Sequence, residues 1–246
     1  MKTDILAIMW KERKGLFRVQ GRRSQALLTM LSPLFLAIYI PWNSGPDWVE
    51  SGLSVLLSII VPFILVGITV PDSFAGERER HTLPTLLASR LSDRAILFGK
   101  LATSVIFGWG AMVMVLALSL ITVNVAHWSG HVLFYKPAIL AADLGISFLV
   151  AVLTAGLGVL FSLRSSTVQQ AQQTLMAVLL LPAMLLQFGA VLLLKSPSAK
   201  ARFEQTLATL SFEQIVFIVA AVLVVVDLAV LMAAMARFKR ARLVLG

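Results

Sequence analysis

Six long apolar segments restrict the fold of this chain more than any other feature of its sequence. A helix needs about 17–25 apolar residues to cross a bilayer, and backbone groups in lipid must pair within their own segment. The segments are Ala26–Trp42, Gly52–Val70, a stretch inside Ala95–Val125, Ile139–Leu163, Leu175–Leu194 and Phe212–Ala236. We therefore predict an all-α, polytopic membrane protein with six transmembrane helices in one domain over residues 1–246.

The composition indicates lipid as the surrounding solvent. Hydrophobic residues make up 59% of the chain and charged residues only 13%, whereas soluble domains carry about 25% charged residues. The absence of cysteine excludes disulfides, thiolate metal sites and cysteine nucleophiles. The net charge of +9 does not indicate nucleic-acid binding, because the basic residues lie at the ends of apolar segments, where membrane topology places them.

The distribution of the 21 lysines and arginines predicts the orientation. Most of them precede the first segment, follow the last or lie between segments two and three. Arg164 lies between segments four and five, on the same side of the membrane, and the four basic residues on the other side are Lys136, Lys195, Lys200 and Arg202. The positive-inside rule then places both termini in the cytoplasm of a multi-pass protein of the inner or plasma membrane. The basic stretch before the first segment is too long for a signal peptide, so we expect the first span to be retained.

Residues 3–20 form an amphipathic pattern. At about 100° per residue, the apolar side chains share one face, namely Ile5, Ile8, Met9, Leu16 and Val19. The opposite arc carries Asp4, Lys11, Lys14 and Arg18. This pattern predicts a helix on the cytoplasmic surface with its basic residues towards anionic headgroups. The alternative is an ordinary basic leader before the first span.

Catalytic motifs are nearly absent. His127 and His131 have a spacing that could bind a metal on a helix, but they flank Trp128 in a short outer loop, where aromatic residues partition to the membrane interface. Gly99-Lys100 looks like the end of a phosphate-binding loop, yet Leu101 replaces the Ser/Thr, and the leading Gly is missing. We therefore predict no metal site, no ATP site and no enzyme activity in this chain.

Three acidic residues lie in or beside the apolar segments. Asp227 lies near the middle of the last one, where a charge costs several kcal/mol, so it must face protein or water or be protonated. It is a candidate for the substrate path or for a contact with a neighbouring helix or a partner subunit. Asp143, near the outer surface, is expected to be interfacial, and Asp72 to belong to the following loop.

The inner loop of residues 72–94 is the most distinctive segment. Its charges are dense as far as His81, and a short amphipathic piece follows with Leu83, Leu86 and Leu87 on one side. Thr82 can cap the start of this piece, and Ser92 or Asp93 can cap the third span. The pattern predicts a short cytoplasmic helix suited to docking on a partner. The alternative is an elbow that packs only on its own chain.

This loop resembles the ABC-2 type permeases, the membrane subunits of a class of type V-like ABC exporters. The matching residues are Glu77, Arg78, Glu79, Thr82, Leu83, Leu86, Leu87, Ser92, Gly99 and Lys100. The chain departs from the family pattern at three positions. His81 replaces a Gly, Pro84 replaces a Glu, and Arg90 replaces a Pro.

The resemblance implies that the segment from Glu77 to Ser89 includes a coupling helix, seated in a groove of a separate ATPase subunit. The contact residues implied are Glu77, Arg78, Glu79, Thr82, Leu83, Leu86 and Leu87. A second permease chain, identical or different, would complete the substrate path. Two ATPase copies would bind ATP and Mg, leaving this chain without a cofactor. The inner loop Arg164–Gln173, with Gln169, Gln170, Gln172 and Gln173, is a candidate for a further ATPase contact.

Two other functions fit parts of the sequence. An ion-gradient-driven transporter or channel could use Asp227 as its coupling residue, although such proteins often contain repeats, and none is evident here. An intramembrane enzyme would need a nucleophile and a base, and the apolar segments hold no such constellation.

Overall fold

The computed structural model describes residues 2–17, 23–82 and 90–238, and the described residues form helices without any strand. The helices are α1 Lys2–Phe17, α2 Arg23–Ser44, α3 Asp47–Glu50, α4 Ser54–Glu79, α5 Asp93–Ala126, α6 Pro137–Ser162, α7 Val168–Leu194, α8 Pro197–Thr209 and α9 Phe212–Arg237. The chain is therefore all-α, as the apolar segments predict.

Five helices in the described ranges are long and apolar enough to cross a membrane, namely α4, α5, α6, α7 and α9. They match the last five predicted spans, except that residues 52–53 and Leu163 lie just outside α4 and α6. The first predicted span, Ala26–Trp42, lies within α2, which is not among the five. A sixth span therefore stays a prediction. The tip of the inner loop, residues 83–89, lies outside the described residues, as do residues 18–20 of the predicted surface helix.

Helices α4, α5 and α6 form the centre of the fold. About half of the residues in the spans of these three helices are buried. Small residues let the helices approach closely. At Gly158 of α6, an added Cβ would lie 2.9 Å from a methyl group of Val70 on α4. Val66, Ala151 and Ala155 are fully or almost fully buried beside this contact.

A polar cluster joins α4 and α6 near the N-terminal end of each helix. Asp143 is fully buried and accepts hydrogen bonds from the hydroxyls of Ser54 at 2.7 Å and Ser58 at 2.8 Å. Asp143 is therefore buried within the chain near the start of α6, and its expected position near the membrane interface stays a prediction. Two serines one helical turn apart on α4 satisfy both oxygens of the carboxylate and allow it to be buried.

Helices α7 and α9 bury little within this chain. Only 6% of the residues in each of these spans are buried, against 44–56% for α4, α5 and α6. Large apolar side chains are exposed on both, including Leu185 and Phe188 on α7 and Phe217 on α9. These two helices therefore offer their surfaces to lipid or to another chain.

Candidate functional site

Helix α4 ends in the charged motif of the inner loop. The amide of His81 donates to the carbonyl of Arg78, and that of Thr82 donates to the carbonyl of Glu77. This pair of bonds is a Schellman cap, which requires a left-handed residue after the helix end. His81 occupies that position with φ +57. The family's Gly at this position is thus explained by backbone geometry, and the chain retains the turn with a histidine.

Lys100, on the first turns of α5, is buried at 1% exposure behind this cap. Its Nζ lies 3.0 Å from Glu77 Oε1 and 3.0 Å from Glu12 Oε1, and it donates to the carbonyl of Ser73 at 2.7 Å. A buried ammonium is tolerated only where opposite charges and acceptors replace its hydration. The Lys100 cluster, formed by Lys11, Glu12, Ser73, Glu77 and Lys100, therefore joins α1, α4 and α5.

Glu77 is shared between two lysines. Lys11 Nζ lies 2.8 Å from the same Oε1 that faces Lys100, and the Lys11 side chain is 52% exposed. Ser73 Oγ donates to Glu12 Oε2 at 2.8 Å. With two lysines and two glutamates, the cluster has no net charge. Glu77 itself is only 7% exposed, so its carboxylate is turned to the lysines of its own chain.

Helix α1 packs on α5 through the residues that the amphipathic pattern placed on one face. Ile8 is 2% exposed and lies on Gly99, where an added Cβ would come within 2.8 Å of the Ile8 Cβ. Ile5 packs against the same hydrophobic core as Ile8. The predicted apolar face therefore contacts the helix bundle. Lys11, placed on the opposite arc, reaches Glu77, and Leu6 and Trp10 are exposed instead.

Arg78 and Glu79 hold the connection between α6 and α7. The Arg78 guanidinium donates to the carbonyls of Ser165 at 2.9 Å and Leu163 at 3.1 Å. Glu79 Oε2 accepts from the amide of Val168 at 3.1 Å. A cation thus lies at the end of α6 and an anion at the start of α7, which complements both helix dipoles. The two inner loops are consequently one connected unit.

The four glutamines expected in the second inner loop lie instead on the first turns of α7, and their surroundings differ. Gln172 Nε2 donates to the carbonyl of Ile68 on α4 at 3.3 Å. Gln170 accepts from the amide of Ser166. Gln169 and Gln173 are exposed. Two of the four therefore serve the fold of this chain.

The structure places the remaining candidate residues as follows. Thr82 is exposed beside the cap, and its hydroxyl lies 3.2 Å from the carbonyl of Glu77. Leu83, Leu86 and Leu87 lie outside the described residues. Ser92 accepts from the amide of Ala95, so the predicted cap of the third span is confirmed. Lys100 was recognised only as a motif match. Its buried partners come from distant parts of the chain.

Asp227 is separate from this site. It is 4% exposed, and neither carboxylate oxygen has a hydrogen-bond partner in the described part of the chain. Asp227 and Ala234 are the residues of α9 that are buried, and α9 packs on α6 close to Gly156. The acid therefore faces its own bundle rather than lipid, as the cost of exposing a carboxyl to hydrocarbon requires.

His127 and His131 each contact a polar group of their own chain. The ring of His127 lies 2.8 Å from the carbonyl of Trp42, and His131 lies 3.3 Å from the hydroxyl of Ser129. Within the described ranges, no group of three or more histidine, cysteine or acidic residues is arranged to hold a metal ion.

Comparison with known proteins gives one family. The model of a family described as ABC-2 type transporter matches residues 3–191, from α1 into α7. This range contains the Lys100 cluster, the cap of α4 and the connection between α6 and α7. No curated protein matches the chain.

Proposed function

The chain belongs to the ABC-2 type transporter family, and from this premise we propose that it pairs with a second permease chain to form the substrate path of an ATP-driven exporter. As a member of this family it is a membrane-spanning transporter subunit, and the ATP-hydrolysing step belongs to a separate subunit. Two copies of that ATPase would bind the ATP and Mg.

The observation that carries this proposal is the connectivity of the charged motif at the end of α4. Glu77 contacts α1 and α5, Arg78 contacts the end of α6, and Glu79 contacts the start of α7. A force applied to the loop after Thr82 would therefore reach four helices through charged contacts. This arrangement suits a protein that is driven through its inner loop.

We assign the ATPase contact to the loop that begins at Thr82 and contains Leu83, Leu86 and Leu87. Glu77, Arg78 and Glu79 form the base of this coupling segment. Since Glu77 is buried and Arg78 donates to its own chain, these two residues hold the segment in position. The exposed Glu79 can contact both its own chain and the ATPase. Exposed Gln169 and Gln173 lie on the first turns of the adjacent α7 and extend the proposed surface.

The mechanism follows from thermodynamic linkage. ATP binding favours one arrangement of the two ATPase subunits, and the coupling segments must differ in free energy between the two arrangements of the permease pair. A segment that contacted the ATPase equally in both arrangements would shift nothing. The base at Glu77–Glu79 contacts α1, α5, α6 and the start of α7, so displacement of the loop would be coupled to the arrangement of these helices.

The proposed topology has both termini in the cytoplasm and α2 as a sixth span in the inner or plasma membrane. The exposed basic residues of α1 and of the α4 end would then lie on the cytoplasmic side, as positive-inside requires. Helix α1 would lie on the cytoplasmic surface. One membrane domain would include the whole chain.

The test is transport in vesicles that contain the permease with its ATPase. Glu79→Lys should abolish ATP-dependent transport and weaken copurification with the ATPase, because it places a cation at the positive start of α7. Glu50→Lys, at an exposed acid beside α3 on the other side of the membrane, is the matched control and should leave both unchanged. Transport by the wild-type chain without any ATPase would refute the proposal.

Asp227 supports a second candidate, transport driven by an ion gradient. Its buried, unbonded carboxyl is the kind of group that binds and releases a proton in gradient-driven carriers. Asp227→Asn keeps the size and removes the ionisation. If the residue is a packing group, the variant should express normally and transport at the wild-type rate. Lost transport with normal expression, together with gradient dependence, would favour the second candidate.

A further inference from the structure

Asp143 is buried where α4 packs on α6, and its hydrogen-bond partners are hydroxyl groups. Asp143, Ser54 and Ser58 are each 0% exposed, and the two serines donate to separate oxygens of the carboxylate at 2.7 and 2.8 Å. Ser147, one turn after Asp143 on α6, is also 0% exposed. We call Asp143, Ser54 and Ser58 the Asp143 cluster. The transport proposal does not use it.

The charge of the Asp143 cluster is not balanced by the described residues. No lysine, arginine or histidine among them forms an ion pair or a hydrogen bond with Asp143. In the Lys100 cluster, by contrast, two lysines balance two glutamates. Burial of an ionised carboxylate costs far more than the helix dipole at the start of α4 returns, and neutral hydroxyls carry no charge. The Asp143 cluster therefore needs a positive charge from outside the described chain.

A freed backbone carbonyl lies in the same turn of α4. The carbonyl of Ser58 lacks its usual helical donor, because Pro62, four residues later, has no amide proton. Carbonyls released at helix interruptions coordinate sodium ions in secondary transporters. The turn that contacts Asp143 thus offers a carbonyl oxygen in addition to its hydroxyls.

We propose that the Asp143 cluster binds a monovalent cation of the size of sodium. Carboxylate, hydroxyl and carbonyl oxygens are the ligands of hard cations. On binding, Ser54 and Ser58 turn their hydroxyl protons away from Asp143 and present lone pairs to the ion. The positive charge of the ion then balances the buried carboxylate.

Other cations fit the Asp143 cluster less well. Calcium sites combine several carboxylates, and magnesium keeps several of its waters, whereas this cluster is fully buried and contains one carboxylate. Its hydroxyl and carboxylate oxygens are only 2.7 and 2.8 Å apart, so the space suits sodium better than the larger potassium ion. A proton would neutralise Asp143 but would leave the Ser58 carbonyl without a partner.

An anionic approach leads to the cluster. Asp47 and Glu50 are exposed on α3, shortly before Ser54 begins α4. Lys136 lies 3.6 Å from Glu50, so Asp47 supplies most of the negative charge there. Exposed carboxylates raise the local concentration of cations, which favours entry at the N-terminal end of α4.

A bound ion would stabilise the contact between α4 and α6. The same two helices are joined near their C-terminal ends, where Arg78 donates to the carbonyls of Leu163 and Ser165. The Asp143 cluster would complement that contact at the opposite end of the pair. The ion would thus act on the stability of the bundle and not as transported cargo.

The test measures sodium binding by the purified full-length permease in detergent. Thermal unfolding is followed in sodium, potassium and N-methylglucamine chloride at equal ionic strength, and binding of radioactive sodium is measured by equilibrium dialysis. We expect sodium to raise the unfolding midpoint saturably and potassium to bind about tenfold more weakly.

Variants locate the site. Asp143→Asn should abolish sodium binding and the sodium-dependent stabilisation. Ser58→Ala removes one ligand and should raise the Kd for sodium about tenfold. Ser162→Ala is the matched control, since Ser162 is a buried serine of α6 whose hydroxyl donates to the carbonyl of Gly158, and it should bind sodium like the wild type.

Three results would overturn the inference. The first is an equal unfolding midpoint in sodium and N-methylglucamine. If acidification then stabilised the wild type but not Asp143→Asn, the occupant would be a proton. The second is sodium binding that Asp143→Asn retains, and the third is an unchanged Kd in Ser58→Ala, which decides the question if Asp143→Asn does not fold. Neither ATPase nor substrate is present, so these results are independent of the transport proposal.

Discussion

The buried charge of Lys100 is balanced by two acidic side chains near the end of α4. Its ammonium is buried at 1% exposure, while the side chains of its two acidic partners, Glu77 and Glu12, are 9% and 15% exposed. In such a group, removing one partner leaves the other charges without compensation, and that loss exceeds the net value of the intact pair.

We predict that Lys100→Met destabilises the permease by about 3 kcal/mol. The measurement is the free energy of unfolding in detergent. Lys11→Met is the matched control, since Lys11 contacts the same oxygen of Glu77 but is 52% exposed, and it should cost less than about 1 kcal/mol. Adding Glu77→Gln to Lys100→Met should recover part of the loss. Equal effects of the two lysine substitutions would contradict the burial argument.

His81 gives a second prediction at this scale. A side chain in the left-handed region costs about 1 kcal/mol relative to glycine, and His81 has φ +57. His81→Gly should therefore raise the free energy of unfolding by about 1 kcal/mol, measured as above. His81→Ala keeps the Cβ and should give no such gain. A destabilised glycine variant would show that the imidazole makes a contact worth more than the strain.

Single residues were only partly predictable from the sequence. The departure at His81 was visible as a missing Gly, but its cause needed the backbone angle. The partners of Lys100 were not visible, because Glu12 and Lys100 are 88 residues apart and no local pattern joins them. The partners of Asp143 were not visible for the same reason, since Ser54 and Ser58 lie on another helix.

At the scale of helices, the end of α4 and the connection between α6 and α7 behave as one element. Arg78 satisfies carbonyls at the end of α6, and Glu79 satisfies an amide at the start of α7. Helix termini leave such groups unpaired, so these two side chains add to the local cap at Thr167, whose hydroxyl accepts from the amide of Gln170.

We predict that Arg78→Met lowers ATP-dependent transport about tenfold or more while the ATPase still copurifies. The substitution frees the α6 carbonyls and disconnects the two inner loops, but leaves the coupling segment in place. Arg80→Met is the matched control. Arg80 is 56% exposed and pairs only with Asp72 of its own helix among the described contacts, so transport should stay near wild type. Loss of ATPase binding in Arg78→Met would instead make Arg78 a direct contact.

The lengths of the apolar segments predicted the five candidate spans well. In lipid, backbone N–H and C=O groups must pair within their own segment, and a helix achieves this. The face of α1 was not predictable. Periodicity showed that Ile5 and Ile8 share a face, but could not show whether lipid or the bundle covers it. The close approach at Gly99 and the ion pair of Glu12 decide in favour of the bundle.

At the scale of the whole molecule, burial is uneven. The spans of α4, α5 and α6 form a packed centre, whereas α7 and α9 bury only 6% of their span residues. Apolar helices that bury so little surface in their own chain can pack against another chain. We expect the second permease chain to contact the exposed surface of α7 and α9.

We predict that a photo-crosslinker at Leu185 of α7, which is 70% exposed, captures a second permease chain in native membranes. The readout is a covalent product with the mass of two permeases. The same group at Ile106 of α5, which is 54% exposed, is the control and should label lipid. A crosslinker at Leu185 that labels only lipid would exclude α7 from the pairing surface.

Helix α5 contains 34 residues, from Asp93 to Ala126. At about 1.5 Å per residue it is about 51 Å long, against about 30 Å of hydrocarbon. A rigid rod of that length amplifies small tilts: a rotation of about 5° about its C-terminal end sweeps the N-terminal end through about 4 Å. Lys100 lies near that N-terminal end, and its Nζ is 3.0 Å from a carboxylate oxygen of both Glu12 and Glu77. Any such tilt must either part these ions or carry α1 and the end of α4 along with it.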